Sequence, residues 1–219
     1  MANSLSYIRL SFLNIKMPKM LSICLIDDHP LFRDCLTLLL KSAGHEVIAE
    51  FDDCIHLEQK SVIKRADMLI FDYKMPGDPL ACIKKIKSQY PEKKCIVLTG
   101  VTAVATLHAI NDSCVDALVL KENSTEELLQ AIALISEGKR FTSGLVMTKI
   151  NRSKDVLSSR ELEVLPYLIK GVKRAEIAQR LFISTETIKT HRRNILQKLN
   201  ANNIEELREQ ALILGLIEE

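Results

Sequence analysis

Between residues 20 and 137, short apolar runs alternate with longer stretches of helical spacing, and this alternation is what most constrains the fold. The runs at 21–26, 46–51, 68–71, 95–98 and 117–120 are too short for buried helices and read as strands. Between and after them lie helical stretches at 30–42, about 54–64, 80–89, 102–111 and 124–137. In the first, Leu31, Cys35, Leu38 and Leu39 share a face, and Gly44 follows as a stop signal. The last opens with Ser124-Thr125-Glu126-Glu127, a capping box. Strict strand–helix alternation predicts a doubly wound α/β fold: a five-stranded parallel sheet with helices on both faces. Such sheets bind ligands beyond the carboxyl ends of their strands.

Those ends carry the chemistry. The first strand stops at Asp27-Asp28, the third at Asp72, the fourth at Thr99 and the fifth at Lys121. Any one of these polar residues would serve as a strand terminator, since Asp in particular suits a following turn. Together they bring three carboxylates, a hydroxyl and an ammonium to one rim. Crowded carboxylates call for a cation, and all-oxygen ligation is the preference of Mg2+. A carboxylate beside such a metal can attack phosphorus and form an acyl phosphate. Lys121 and Thr99 would then hold the phosphoryl oxygens.

The segment from about residue 20 to 138 resembles a response-regulator receiver domain of flavodoxin-like fold. The resemblance rests on Asp-Asp-His-Pro at 27–30, Asp72, Lys-Met-Pro-Gly at 74–77, Thr99 and Lys121. It implies a phosphoacceptor at Asp72 and a Mg2+ site formed by Asp27, Asp28, Asp72 and the backbone carbonyl of Lys74. It further implies a switch hydroxyl at Thr99, a phosphate-binding Lys121, and a cognate sensor histidine kinase as phosphoryl donor. The chain departs from the family pattern twice. Asp78-Pro79-Leu80 replaces a longer turn, and Leu118 stands where an aromatic residue usually rotates with the threonine.

Beyond residue 138 the apolar periodicity fades into a polar stretch, read as a linker over 139–155 with a short helix about 146–150. A second, all-α domain over 156–219 begins with another capping box, Ser158-Ser159-Arg160-Glu161. Four helices are expected, at 159–170, 175–181, 185–199 and 204–214, the first interrupted by Pro166. Net charge over the whole chain is only +2, so bulk charge indicates no partner. Locally, 158–199 holds nine bases against four acids. Lys189, Thr190, Arg192 and Arg193 stud the third helix away from its Ile188, Ile195 and Leu199 stripe. A charge run is more often a solvated face, but a short helix, a tight turn and a basic helix form a helix-turn-helix, whose second helix enters the DNA major groove.

The string Glu176-Ile177-Ala178-Gln179-Arg180-Leu181-Phe182-Ile183-Ser184-Thr185-Glu186-Thr187-Ile188-Lys189-Thr190-His191 resembles the DNA-binding module of LuxR/FixJ/NarL-type regulators. The expected protein is therefore a DNA-binding transcription regulator of a two-component phosphorelay rather than an enzyme, forming a homodimer when phosphorylated. Two other readings compete. A phosphatase on a similar sheet would carry a second acid where Lys74 stands. A regulator independent of phosphate, gated by a partner protein or ligand, is favoured only by Leu118 and the altered 78–80 turn.

The six cysteines contain no C-x-x-C pair, which points to reduced core thiols in a cytoplasmic protein. No apolar run reaches membrane-spanning length. Residues 1–19 are expected to be a tail, without a secretion-signal pattern.

Overall fold

The structure, a computed structural model, describes residues 20–154 and 156–218; the expected N-terminal tail over 1–19 lies outside them. The chain divides into two compact units. Among the described residues, one comprises 20–100 and 113–145, the other 101–112, 146–154 and 156–218.

The first unit is built on a parallel sheet of six strands. They are β1 (Ser22–Ile26), β2 (Glu46–Phe51), β3 (Met68–Phe71), β4 (Lys94–Thr99), β5 (Ala117–Leu120) and β6 (Phe141–Thr142), in the order β2-β1-β3-β4-β5-β6. All five expected strands are present. The sixth pairs Phe141 with Ala117 and Thr142 with Leu118. Two residues are too few for a periodic signal, which is why the sequence there read as linker.

β3 and β5 are buried at every position, as uninterrupted apolar runs in a two-sided sheet should be. One face packs Ile23, Leu25, Ile70, Leu98 and Val119 against α1 (Pro30–Ser42) and α5 (Thr125–Ser136). On α1 the inward residues are Leu36 and Leu40, whereas Leu31 and Leu38 are exposed. Of the stripe singled out from sequence, Leu39 packs against the core while Leu31, Cys35 and Leu38 face outward. On α3 (Pro79–Gln89) the buried residues are Pro79, Cys82, Ile83 and Ile86.

The helix expected over 54–64 is instead a 3-10 turn, Leu57–Gln59, and a single helical turn, α2 (Val62–Arg65). The break has a local cause. Asp53 Oδ1 accepts a hydrogen bond from Ile55 N at 2.7 Å, and His56 adopts φ +53°. An Asx turn followed by a left-handed residue cannot continue an α-helix. Just before α3, Gly77 has φ +104°, and a Cβ there would lie 2.6 Å from Cys54 Sγ. Only glycine suits both the conformation and the space. Of the six cysteines, Cys24, Cys54, Cys82 and Cys95 are buried and none forms a disulfide. Burial pushes the Cys24 thiol up to about 11 and the Cys82 and Cys95 thiols up to about 12, which keeps them protonated and inert.

The second unit combines α4 (Val104–Asn111) with five helices from the C-terminal part: α6 (Gly144–Lys154), α7 (Ser159–Ile169), α8 (Arg174–Arg180), α9 (Thr185–Lys198) and α10 (Ile204–Ile213). Its core joins Leu162, Leu165, Ile177, Ile188, Ile195 and Leu207, with Val104 of α4 in the same cluster. The N-terminal amides of α4, orphaned in any helix, find partners far along the chain. Glu218 Oε1 accepts from Thr102 N at 2.5 Å and Ala103 N at 3.0 Å. The carbonyls of Gly215 and Leu216 accept from Val104 N at 3.1 Å and Ala105 N at 2.9 Å. α7 stays helical through Pro166. α6 extends well beyond the short helical stretch expected about 146–150.

The capping box at the start of α7 is complete and does more than cap. Glu161 Oε2 accepts from Ser158 N and Ser158 Oγ, each at 2.8 Å, and from Lys198 Nζ at 2.7 Å. Lys198 ends α9, so one buried carboxylate ties the start of α7 to the end of α9. Burial pushes the Glu161 carboxyl up, but the hydrogen bonds from Lys198 and Ser158 outweigh it and hold it below the ordinary glutamate range. A depressed carboxyl stabilises the fold above its unfolded value, near about 4.3, and that contribution disappears as pH falls through the lower folded value. Glu161→Gln should therefore cost about 1–3 kcal/mol at pH 7 in urea unfolding, and the gap from wild type should close as the pH is taken below about 4.

Candidate functional site

Strand register decides which side chains meet. β1 and β3 are aligned so that Ile26 pairs with Phe71, and β3 and β4 so that Phe71 pairs with Val97. The residues after β1 and β3, Asp27 and Asp72, thus emerge side by side, and Asp72 N donates to Ile26 O at 2.7 Å. On the other side Thr99 pairs with Leu120, and Lys121 N donates to Thr99 O at 2.8 Å. Asp27, Asp72 and Thr99 are all buried, while Asp28 lies more open.

The central interaction is made by Lys121. Its Nζ lies 2.6 Å from Asp27 Oδ2 and 2.9 Å from Asp72 Oδ2, so one ammonium bridges two buried carboxylates. The Phe32 ring covers it, with the nitrogen 4.3 Å from the ring centroid, a cation–π contact that partly desolvates the charge. The other Asp72 oxygen, Oδ1, accepts from Tyr73 N at 2.6 Å and from Lys74 N at 3.3 Å. The backbone after β3 therefore curls around the carboxylate, which is the geometry that brings residue 74 to the site. Arg33 Nη1 donates to the Asp27 carbonyl, fixing the chain where it leaves β1.

One oxygen each of Asp27 and Asp72 is neutralised by Lys121. Asp27 Oδ1 and the Asp28 carboxylate are left, and the imidazole of His29 reaches them: Nδ1 is 2.8 Å from Asp28 Oδ1 and 3.1 Å from Asp27 Oδ1. Ligand atoms from Asp27, Asp28, His29 and Asp72 all lie within 4.8 Å of one another. The cluster is the right size and charge for a divalent cation. His29 was read in sequence only as part of Asp-Asp-His-Pro. Nothing in the spacing announces that its ring turns back over the acids, because that depends on its place at the start of α1. Leu118, at the position where an aromatic was expected, is fully buried within β5. The shortened 78–80 turn has a defined form: Asp78 caps α3 by accepting from Ala81 N at 3.0 Å, with Pro79 at the first helical position.

In the second unit the expected recognition surface lies along α9. Ser184 caps the helix, accepting from Thr187 N at 3.0 Å, and the turn before it places Phe182 at φ +54°, 94% exposed. Lys189, Thr190, Arg192 and Arg193 are all exposed. With Arg174 and Glu186 they line a concavity of about 690 Å3. The arrangement places several cations on one exposed helix, a surface of the kind that suits a polyanion. Among the described residues, no helix is long and apolar enough to cross a membrane.

Comparison with known proteins fits both units. The family model described as "Response regulator receiver domain" matches residues 23–133, and that of "Bacterial regulatory proteins, luxR family" matches residues 155–211. The oxygen regulatory protein NreC of Staphylococcus epidermidis is 32% identical, over 90% of this chain and 100% of its own length. NreC of Staphylococcus aureus is 31% identical with the same coverage. Among solved structures, one of two RcsB dimers bound to two parallel DNAs superimposes with a TM-score of 0.62 at 30% identity, covering 91% of this chain and all of that one. The isolated receiver domain of RcsB from Salmonella enterica serovar Typhimurium, solved with the phosphomimetic BeF3-, covers 59% of this chain at 32% identity and a TM-score of 0.54.

Removing the bridging ammonium leaves two buried carboxylates facing each other. Lys121→Ala should lower the stability of the first unit by about 1–3 kcal/mol, a figure discounted because Nζ is partly solvated. A divalent cation should restore part of that loss, and thermal unfolding with and without Mg2+ reads both effects.

Proposed function

Since this chain belongs to the response regulators that join a receiver domain to a luxR-family module, we propose that it is a DNA-binding transcription regulator of a two-component system, switched by phosphorylation of Asp72. The observation that carries this reading is the Lys121 bridge between Asp27 and Asp72, buried beside Thr99 at the carboxyl ends of four strands. A carboxylate held this way keeps a fixed orientation and has a resident cation ready for a phosphoryl group.

The proposed reaction moves a phosphoryl group from a histidine of a cognate sensor kinase to Asp72. The P–N bond of the phosphohistidine breaks, a P–O bond to the carboxylate forms, and the imidazole is released. Tyr73 N and Lys74 N hold Oδ1 and so orient the nucleophile. Lys121 then exchanges its contact with the Asp72 carboxylate for one with a phosphoryl oxygen, and Thr99 donates its hydroxyl to another. We assign Mg2+ to Asp27, Asp28, Asp72 and the carbonyl of Lys74; when bound it offsets charge developing on the phosphoryl oxygens. The donor set fits such an ion, being carboxylate-rich and partly open through Asp28.

For output we propose that α9 enters the major groove, with Lys189, Thr190, Arg192 and Arg193 on bases or phosphates. The similarity to RcsB, solved as dimers on DNA, supports paired modules on paired half-sites. The proposed division is a receiver over 20–138 and a DNA-binding module over 156–219, joined by 139–155, acting in the cytoplasm. Phosphorylation would act on the Thr99 side of the sheet, and through it on the pairing or release of the DNA-binding modules.

Incubation with Mg2+ and a small acyl-phosphate donor should add one phosphoryl mass increment to the wild type and none to Asp72→Asn, with a shift toward dimer only in the former. Equal incorporation in both would remove Asp72 from the scheme. No incorporation in either, with DNA binding intact, would favour the phosphate-independent reading. Lys189→Ala and Arg193→Ala should each weaken binding to specific and non-specific DNA. Where the lost contact is to a phosphate, the slope of log K against log salt should fall by about one.

A further inference from the structure

The acid cluster contains a donor that an oxygen-only magnesium site does not use. His29 Nδ1 stands 2.8 Å from Asp28 Oδ1, 3.1 Å from Asp27 Oδ1 and 4.0 Å from Asp72 Oδ2. Donor atoms about 2.1 Å from a six-coordinate metal lie about 3.0 Å apart when adjacent and about 4.2 Å apart when opposite. The two shorter separations of His29 match edges of such a polyhedron, and the 4.0 Å to Asp72 Oδ2, an oxygen that Lys121 Nζ also contacts at 2.9 Å, is close to its diagonal. We infer that His29 Nδ1 is a metal ligand, and that it shifts the site's preference from Mg2+ toward a transition-metal ion of the Mn2+-to-Zn2+ class. The inference rests on the reading of Asp27, Asp28 and Asp72 as a cation site.

Local structure holds the imidazole where it would be needed. His29 occupies the N-cap position of α1, its backbone is extended at φ −97° and ψ 101°, and Pro30 follows it. Its own amide donates to Asp27 Oδ1 at 2.8 Å, so backbone and ring are both anchored to the first acid. The side chain is 64% exposed, and Nδ1 is the ring atom that faces the acids. Lys121 takes the Oδ2 atoms of Asp27 and Asp72, on which the ammonium already sits, whereas His29 approaches Asp27 through Oδ1. Ammonium and imidazole therefore contact different oxygens of Asp27.

Chemistry sets the direction of the preference. Mg2+ is hard, dehydrates reluctantly and gains little from a nitrogen ligand. Imidazole suits the later divalent ions, whose affinities rise from Mn2+ toward Ni2+ and Cu2+. One nitrogen among three carboxylates should separate the two classes without abolishing magnesium binding.

The test is calorimetric titration of the full-length protein with Mg2+ and with Ni2+, each also in competition with the other, for wild type, His29→Ala and Asp27→Asn. His29 is on the surface, and circular dichroism checks that the variants fold. The expected result is Ni2+ binding that competes with Mg2+ and weakens about tenfold or more in His29→Ala, while Mg2+ affinity changes less than about threefold. In the Mn2+-loaded wild type, pulsed electron paramagnetic resonance should show directly coupled 14N that is lost in His29→Ala. If both metals bind equally in wild type and His29→Ala, or if both bind more tightly in the variant, His29 is at most a competing counter-ion and the inference fails. If Asp27→Asn changes neither metal's binding, the acid cluster itself is not the cation site, and that more basic reading fails first.

Discussion

Two carboxylates sit at the ends of neighbouring buried strands, and the first unit is arranged to make that tolerable. Asp27 and Asp72 would repel strongly in a rim that excludes water from most of their surface. Lys121 resolves the conflict, but only because β5 delivers it there. The lysine follows the fifth strand, and it reaches the acids because β1, β3, β4 and β5 are parallel neighbours that end at the same level. Any slip in register would displace the ammonium by a full residue step and leave charge uncompensated. Sheet topology and site chemistry are thus one constraint viewed at two scales. In the proposed reaction the same bridge would make the site responsive, since a group that brings its own anionic oxygens to Asp72 would compete for the ammonium that holds Asp27 and Asp72 together.

The second unit solves a comparable problem at Glu161. A buried carboxylate is costly unless it is hydrogen-bonded, and here Ser158 and Lys198 both donate to Oε2. The outcome is mechanical: the start of α7 and the end of α9 are fastened, while Lys189, Arg192 and Arg193 of α9 stay exposed. A helix anchored at its end with exposed cations along it is well suited to a polyanionic surface.

What was legible in the sequence follows from burial. β3 and β5 are fully buried runs with polar ends, so their limits are the same in sequence and structure, and the rim residues Asp27, Asp72, Thr99 and Lys121 could be aligned from strand ends alone. Capping residues were equally clear, since Ser124, Ser158 and Ser184 each declare a helix start locally. What escaped depends on long-range or conformational facts. His56 in the left-handed region breaks the helix expected over 54–64, and histidine does not advertise that conformation. α1 carries apolar residues on more than one side, and periodicity alone does not say which of them the sheet will cover. The reach of His29 over the acids depends on the path from β1 into α1, which no spacing encodes.

The cap on α4 links residues far apart in synthesis. Thr102 to Ala105 supply the amides, and Gly215, Leu216 and Glu218 supply the oxygens. A helix normally finds its capping partner within a few residues, as soon as it leaves the ribosome. For α4 that partner is translated more than a hundred residues later. During that interval the first turn of α4 must rely on water for its amides, and Val104 waits for the rest of its hydrophobic cluster to be made. The second unit therefore cannot be completed in chain order: an early segment is held in reserve until the end of the DNA-binding helices emerges to close it.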